Sequence, residues 1–175
     1  MLRSELGKLY QQNHFTGLGA EIGVERGLNA LNILKYYKGL LYCIDEWSNI
    51  ESYKTALKNL NCDGCIRLKS AEAVDLFSDG CLDFIYIDAD HTYNAVKQDL
   101  ELWYPKVRRG GIVSGHDYIK FQDYGVIQAV DEFIELHKKQ LFLINQIEGE
   151  LNFKSWYFVK WLNPTNSTTL IVLTF

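Results

Sequence analysis

No run in this sequence approaches the roughly 18 consecutive apolar residues that a membrane-spanning helix requires, so no segment is expected to cross a membrane. The opening stretch, MLRSELGKLYQQNHF, lacks the apolar centre of a signal peptide, and a cytoplasmic location is the expectation that follows. Basic residues are not in excess either. The 18 Lys and Arg stand against 22 Asp and Glu, a formal net charge of −4 with no basic stripe. Nucleic-acid binding through clustered phosphate contacts is therefore not expected. A second C-x-x-C is missing as well. Cys62 and Cys65 form one such pair, but Cys43 and Cys81 stand alone and far off, so reduced thiols are expected and structural zinc is not. No repeat, low-complexity tract or linker divides the 175 residues, which are expected to form a single domain, with 1–18 a short N-terminal cap and 161–175 a C-terminal tail.

What the sequence does have is concentrated between Leu82 and Tyr118, LDFIYIDADHTYNAVKQDLELWYPKVRRGGIVSGHDY. Two short apolar runs, Leu82–Ile87 and Ile112–Ser114, each empty into ionisable residues: Asp88, Asp90 and His91 after the first, His116 and Asp117 after the second. Between them Tyr93, Val96, Leu100 and Trp103 fall at helical spacing, and Pro105 stops the helix. Strand, helix, strand predicts adjacent parallel strands. Both polar clusters then lie at one carboxyl edge of the sheet, where open α/β folds bind ligands.

The rest of the chain repeats that alternation. A polar-faced helix is expected over residues 1–16, with Leu2, Leu6 and Leu9 along one side. Ala20–Ile22 reads as a buried strand, Gly23 and Gly27 bracket a tight turn, and Ala30, Ile33, Leu34 and Tyr37 follow at helical spacing. Leu40–Ile44 is a second strand and ends in Asp45, 22 residues after Gly23. An acid there can accept from both ribose hydroxyls, so strand, glycine turn, helix, strand and acid together point to a nucleoside-containing ligand. Further strands are expected at Cys65–Leu68, Leu141–Ile144 and Trp156–Val159, and helices around Tyr53–Leu60, Ala73–Phe77 and Val126–Phe133. Arg108–Gly111 reads as a solvated turn, and the apolar tail TTLIVLTF as an edge strand or a packing segment.

The segments GAEIGVERGLN, LYCIDEW, LKSAEA, the 82–118 block and SWYFVK resemble class I S-adenosylmethionine-dependent methyltransferases over most of the chain. The block from I-D-A-D-H-T-Y to G-H-D-Y is most similar to the macrocin-type O-methyltransferases of sugar-containing natural products. The resemblance implies an α/β, Rossmann-like sheet of seven strands in order 3-2-1-4-5-7-6, strand 7 antiparallel, with helices on both faces, and the seven strand segments of the sequence match that count. It implies that Glu21, Gly23 and Asn29 lie along the methionine and ribose of S-adenosyl-L-methionine and that Asp45 holds the ribose. It places Trp47 beside the adenine, Ser70 and Ala71 at the adenine edge, and Asp88 near the methionine end. In the metal-dependent relatives, the positions of Asp88 and Asp90 hold metal and act as base.

Methyl transfer to a hydroxyl needs an aligned acceptor and a route for one proton. Asp88, Asp90 and Asp117 are hard oxygen donors suited to Mg²⁺ or another divalent cation, with Asp88 and Asp117 the expected metal pair. Asp90, His91 and His116 are the candidate bases, although Asp90 also suits a helix cap. The expected partner is a small-molecule acceptor. Many relatives carry a longer N-terminal cap, so the acceptor site here is expected to be open or completed by a second copy in a homo-oligomer. Three other readings fit less of the sequence: a relative of the same fold described as a hydroxylase of cephalosporin-like substrates, a cofactor-binding module without catalysis, and a nicotinamide-dependent oxidoreductase. The last would call for G-x-G-x-x-G where the chain has Glu21-Ile22-Gly23-Val24-Glu25-Arg26-Gly27.

Overall fold

The computed structural model describes residues 6–61, 64–144 and 153–160. The expected sheet is present. Its strands are β1 (Leu18–Ile22), β2 (Leu40–Asp45), β3 (Cys65–Arg67), β4 (Leu82–Ile87), β5 (Val107–Tyr118), β6 (Phe142–Ile144) and β7 (Lys154–Val159). The order is β3-β2-β1-β4-β5-β7-β6, and every pairing is parallel except those of β7 with β5 and β6. The helices are α1 (Leu6–Gln12), α2 (Leu28–Leu34), α3 (Ile50–Leu60), α4 (Ser70–Ala73), α5 (Tyr93–Trp103) and α6 (Val126–His137).

The order follows from burial on both faces. All six residues of β4 are buried, as a central parallel strand requires. Its side chains alternate: Phe84 and Tyr86 join the core under α1, α2 and α3, while Ile85 and Ile87 join the core under α5 and α6. On the first face the Tyr10 ring stacks on Phe84 at 3.6 Å, and its hydroxyl reaches Ser114 Oγ at 2.8 Å. From β1 the chain steps outward to β2 and β3, then crosses back to β4. The winding reverses between β1 and β4, and a crevice opens at that switch point.

Several expectations on element limits need correcting, the first being that α1 ends at Gln12 and not at residue 16. Strand β5 begins at Val107, not Ile112. Leu82 pairs with Val107 and Phe84 with Ile112, so the Arg-Arg-Gly-Gly segment bulges outward within the strand and is not a turn before it. Nor is Arg108 a solvated turn residue: its Nε donates to the buried Asp83 at 2.6 Å. Residues 1–5 of the expected first helix, Cys62, and the tail 161–175 lie outside the described residues. Cys65 and Cys81 are free thiols, and Cys43 is buried in the core.

Candidate active site

The crevice is a cavity of about 1470 Å³ along the carboxyl ends of β1, β2, β4 and β5. Single-ligand pockets usually measure about 300–1,000 Å³. This one therefore has room for a nucleoside cofactor and an acceptor together. Every residue proposed from the sequence for the site lines it except Trp47.

The glycine loop forms one wall. Gly23 sits at φ +86°, and a Cβ there would lie 2.2 Å from the carbonyl oxygen of Asp88. Only glycine lets the end of β1 approach the end of β4 so closely. The loop is then pinned from β2. Asp45 Oδ2 accepts from the N–H groups of Val24 and Glu25, each at 2.9 Å, and Oδ1 accepts from Trp47 N–H at 2.7 Å. Trp47 is 2% exposed, and its indole N–H donates to Glu25 O at 2.6 Å. It packs under the loop instead of facing the cleft. Glu21 is buried and accepts from Asn29 Nδ2 at 2.9 Å. Asn29 Oδ1 is buried with no hydrogen-bond partner among the described residues. A buried acceptor beside a carboxylate fits a ligand that brings N–H donors, such as an amino-acid ammonium. The residues present therefore fit the cofactor.

The opposite wall holds a residue the sequence reading did not single out. Asp99 on α5 is 5% exposed, and Oδ1 accepts from Ser70 Oγ at 2.5 Å. Burial pushes its carboxyl up to about 6, with the Ser70 bond partly offsetting that rise and Asp90 adding to it. A signal was available: Val96, Asp99, Leu100 and Trp103 share one helical face, which puts an acid on the buried side of an amphipathic helix.

At the junction of β4 and β5, four ionisable side chains converge. Asp88, His116 and Asp117 place one donor atom each within 4.8 Å of one another. His116 Nδ1 lies 2.9 Å from Asp117 Oδ1 and 3.9 Å from Asp88 Oδ1. His91 Nε2 lies 2.6 Å from Asp117 Oδ2, a close charge contact and not an aligned hydrogen bond, and 3.7 Å from Asp88 Oδ1. The His91 ring stacks on Tyr124 at 4.5 Å. Asp117 sits at φ +57°, in the left-handed region that re-aims a side chain at a strand end. The position of His116 is fixed from the far side: Trp156 Nε1 donates to its carbonyl at 3.0 Å. A Cβ on Gly115 would lie 2.4 Å from that indole ring.

The charges are coupled. Contact with Asp117, and then with Asp88, raises His91 to about 9. Burial pushes the Asp117 carboxyl up, but the close contacts of His116 and His91 outweigh it and hold the group well below the ordinary carboxylate range. Asp90 is exposed, and its Oδ1 accepts from Thr92 N–H at 2.7 Å, where it shapes the start of α5.

Several solved structures that superpose on this chain are described as methyltransferases. An O-methyltransferase from Bacillus cereus in complex with SAH superposes with a TM-score of 0.70 at 17% identity, over 90% of this chain and 80% of that one. The O-methyltransferase TomG from Streptomyces achromogenes, in complex with SAM, gives 0.68 at 11% identity, over 90% and 79%. At such identities the likeness establishes the fold. The family model described as a methyltransferase domain matches residues 20–118. The chain belongs to that family of methyltransferase domains. A curated relative, the uncharacterized protein y4gI of Sinorhizobium fredii, is 34% identical over 64 residues; the match spans 36% of this chain and 7% of that protein. Among the described residues no helix is long and apolar enough to cross a membrane.

Proposed function

We propose that the chain methylates a hydroxyl of a small molecule, a sugar hydroxyl of the macrocin type being the finer reading, and that Asp88, His116 and Asp117 hold a divalent cation beside it. The observation that carries this is the convergence of those three donor atoms within 4.8 Å at the end of the cofactor cleft. S-adenosyl-L-methionine supplies a methyl group on a sulfonium that leaves as a neutral thioether. Glu21 and Asn29 face the amino-acid end, Asp45 steadies the glycine loop beside the ribose, and Ser70 and Ala71 border the adenine end. A cation in the triad would polarise the acceptor hydroxyl and separate the two carboxylates. The donor set, two carboxylates and one imidazole, suits Mn²⁺ or Fe²⁺ at least as well as Mg²⁺. His91 faces the same acids and is placed to take the hydroxyl proton once they have another counter-charge. Asp90, committed to the Thr92 N–H, is a weaker candidate for base. The net charge of −4 favours a small acceptor over a nucleic acid.

The test is transfer of label from methyl-labelled S-adenosylmethionine to a panel of small hydroxyl compounds, sugars included. It is run with and without exhaustive chelation, then with Mn²⁺, Fe²⁺ or Mg²⁺ restored. Transfer that needs the added cation is the expected result. Transfer that survives chelation removes the cation from the reading.

A further inference from the structure

The loop between β5 and α6 holds His91 at two points. Gly125 N–H donates to the His91 carbonyl at 2.8 Å. The loop sits hard on the start of α5 there: a Cβ on Gly125 would lie 2.4 Å from the backbone nitrogen, Cα and Cβ of Tyr93. One residue earlier, the Tyr124 ring stacks on the His91 imidazole, with centroids 4.5 Å apart and planes 12° from parallel. Tyr124 is braced in turn. Its N–H closes a turn onto Phe121 O at 3.0 Å, and the Phe121 ring meets it edge-on at 5.4 Å. Phe121 then packs at 5.3 Å against Phe153, which stands just before β7 and lines the cavity. The brace runs from the cleft wall through three rings to the imidazole.

A histidine needs such a grip if its ring nitrogen is to stay in one place. The second side-chain torsion of histidine is broad and roughly two-fold, so bond rotation alone sets no plane. An aligned hydrogen bond at Nε2 would set it. That atom instead meets Asp117 Oδ2 at 2.6 Å without alignment, and it has no hydrogen-bond partner among the described residues. The Gly125 bond fixes where the side chain starts, and the face of Tyr124 fixes the plane in which it ends. We propose that Tyr124 is a positioning residue: its ring holds the His91 imidazole in the plane that keeps Nε2 against Asp88 and Asp117, where the acceptor hydroxyl is to lose its proton. This rests on the role given to His91 above. Tyr124 is not among the residues that line the cavity, so it acts through His91. The contact is made by the ring face, so phenylalanine should serve in its place and an aliphatic side chain should not.

The experiment is a double-variant cycle on the full chain. It is read by the single-turnover rate of label transfer from methyl-labelled S-adenosylmethionine, with Mn²⁺ present, to the hydroxyl compound that wild type labels fastest. Tyr124→Leu should slow transfer about tenfold to a hundredfold, the penalty for a proton acceptor displaced by about 1 Å. Affinity for S-adenosylhomocysteine, which also shows that the variant is folded, should stay within about twofold. Tyr124→Phe should recover most of the rate. In the His91→Ala background, Tyr124→Leu should change the rate by less than about twofold, because no imidazole is left to aim. A Tyr124 that merely packs the loop predicts the same loss in both backgrounds. That result, or a full rate in Tyr124→Leu, overturns the proposal. Placement is also read apart from activity, by the crystal structure of Tyr124→Leu. His91 Nε2 should leave its place beside Asp117 Oδ2, and a retained contact of 2.6 Å overturns the proposal as well. Wild type that labels no hydroxyl compound overturns the reading of function beneath it, and the variant's structure then decides the placement of His91 by itself.

Discussion

Strand β4 carries an acid at each end, and the two live differently. Near its start, Asp83 is 6% exposed, with Oδ1 taking the Arg108 Nε–H at 2.6 Å and Oδ2 the Gly17 N–H at 2.7 Å. Opposite charge, matched donors and a neighbouring strand make that end a closed joint. Just past its other end, Asp88 shares a crowded space with Asp117 and two histidines, with His91 Nε2 at 3.7 Å and His116 Nδ1 at 3.9 Å from its Oδ1. The chemical ingredients are alike. What differs is whether the donors around each acid come from fixed backbone and a dedicated arginine, or from partners that it must share. A satisfied acid is framework, and a shared one is available for chemistry.

Substitutions should separate the two. Asp88→Asn should lower turnover at least about a hundredfold, as expected when a cation ligand is lost, and move the melting temperature by only a few degrees. A variant with normal turnover would take Asp88 out of the reaction. Asp83→Ala should do the opposite. The unpaired Arg108, partly exposed, and the orphaned Gly17 N–H should cost about 2–3 kcal/mol of stability by chemical denaturation. Affinity for S-adenosylhomocysteine should hold within about twofold. Loss of that affinity in a folded variant would mean the joint reaches the cleft.

Asp45 sharpens the contrast, because it lies on the cleft edge yet is bonded like framework. Asp45→Ala should weaken S-adenosylhomocysteine binding about tenfold and also lower stability, since three loop N–H groups lose their acceptor. Equal affinity in calorimetry would leave Asp45 a purely structural residue.

The smallest effect concerns Asp99. Its folded-state value, about 6, lies above the ordinary 3.8, so the native state holds this proton more tightly than the unfolded chain. The group therefore costs stability above about pH 6, and the cost fades as pH falls toward 4. Wild type should lose up to about 1 kcal/mol per pH unit across that rise relative to Asp99→Asn. Parallel stability curves for the two proteins would show that Asp99 titrates normally.

Much of this was legible in the sequence, for physical reasons. A central parallel strand is apolar on both faces, so β4 announces itself, and acids that end such strands must fall on one edge. The glycine at position 23 and the acid at 45 were readable because backbone approach and strand-end chemistry leave few other residue types suitable. Hidden features depended on partners distant in sequence. Arg-Arg-Gly-Gly looks like a turn until Asp83 lies across from it. Trp47 looks like a wall for a ring until Glu25 O claims its indole. Asp45 looks free for a ribose until three backbone donors arrive. Asp99 shares the buried face of its helix in the pattern, but its partner Ser70, 29 residues earlier, is not visible there.

The indole that holds the carbonyl of His116 also dates the site within the life of the chain. The glycine loop, Asp45 and the end of β4 have all been synthesised once about half of the polypeptide has been made. His116 receives its anchor only when Trp156, 40 residues later, threads in beside β5. On a ribosome that adds about 5–20 residues per second, the nucleotide half can collapse seconds before the reactive half is locked. The residues proposed for the cofactor are thus made before the anchor of the reactive end.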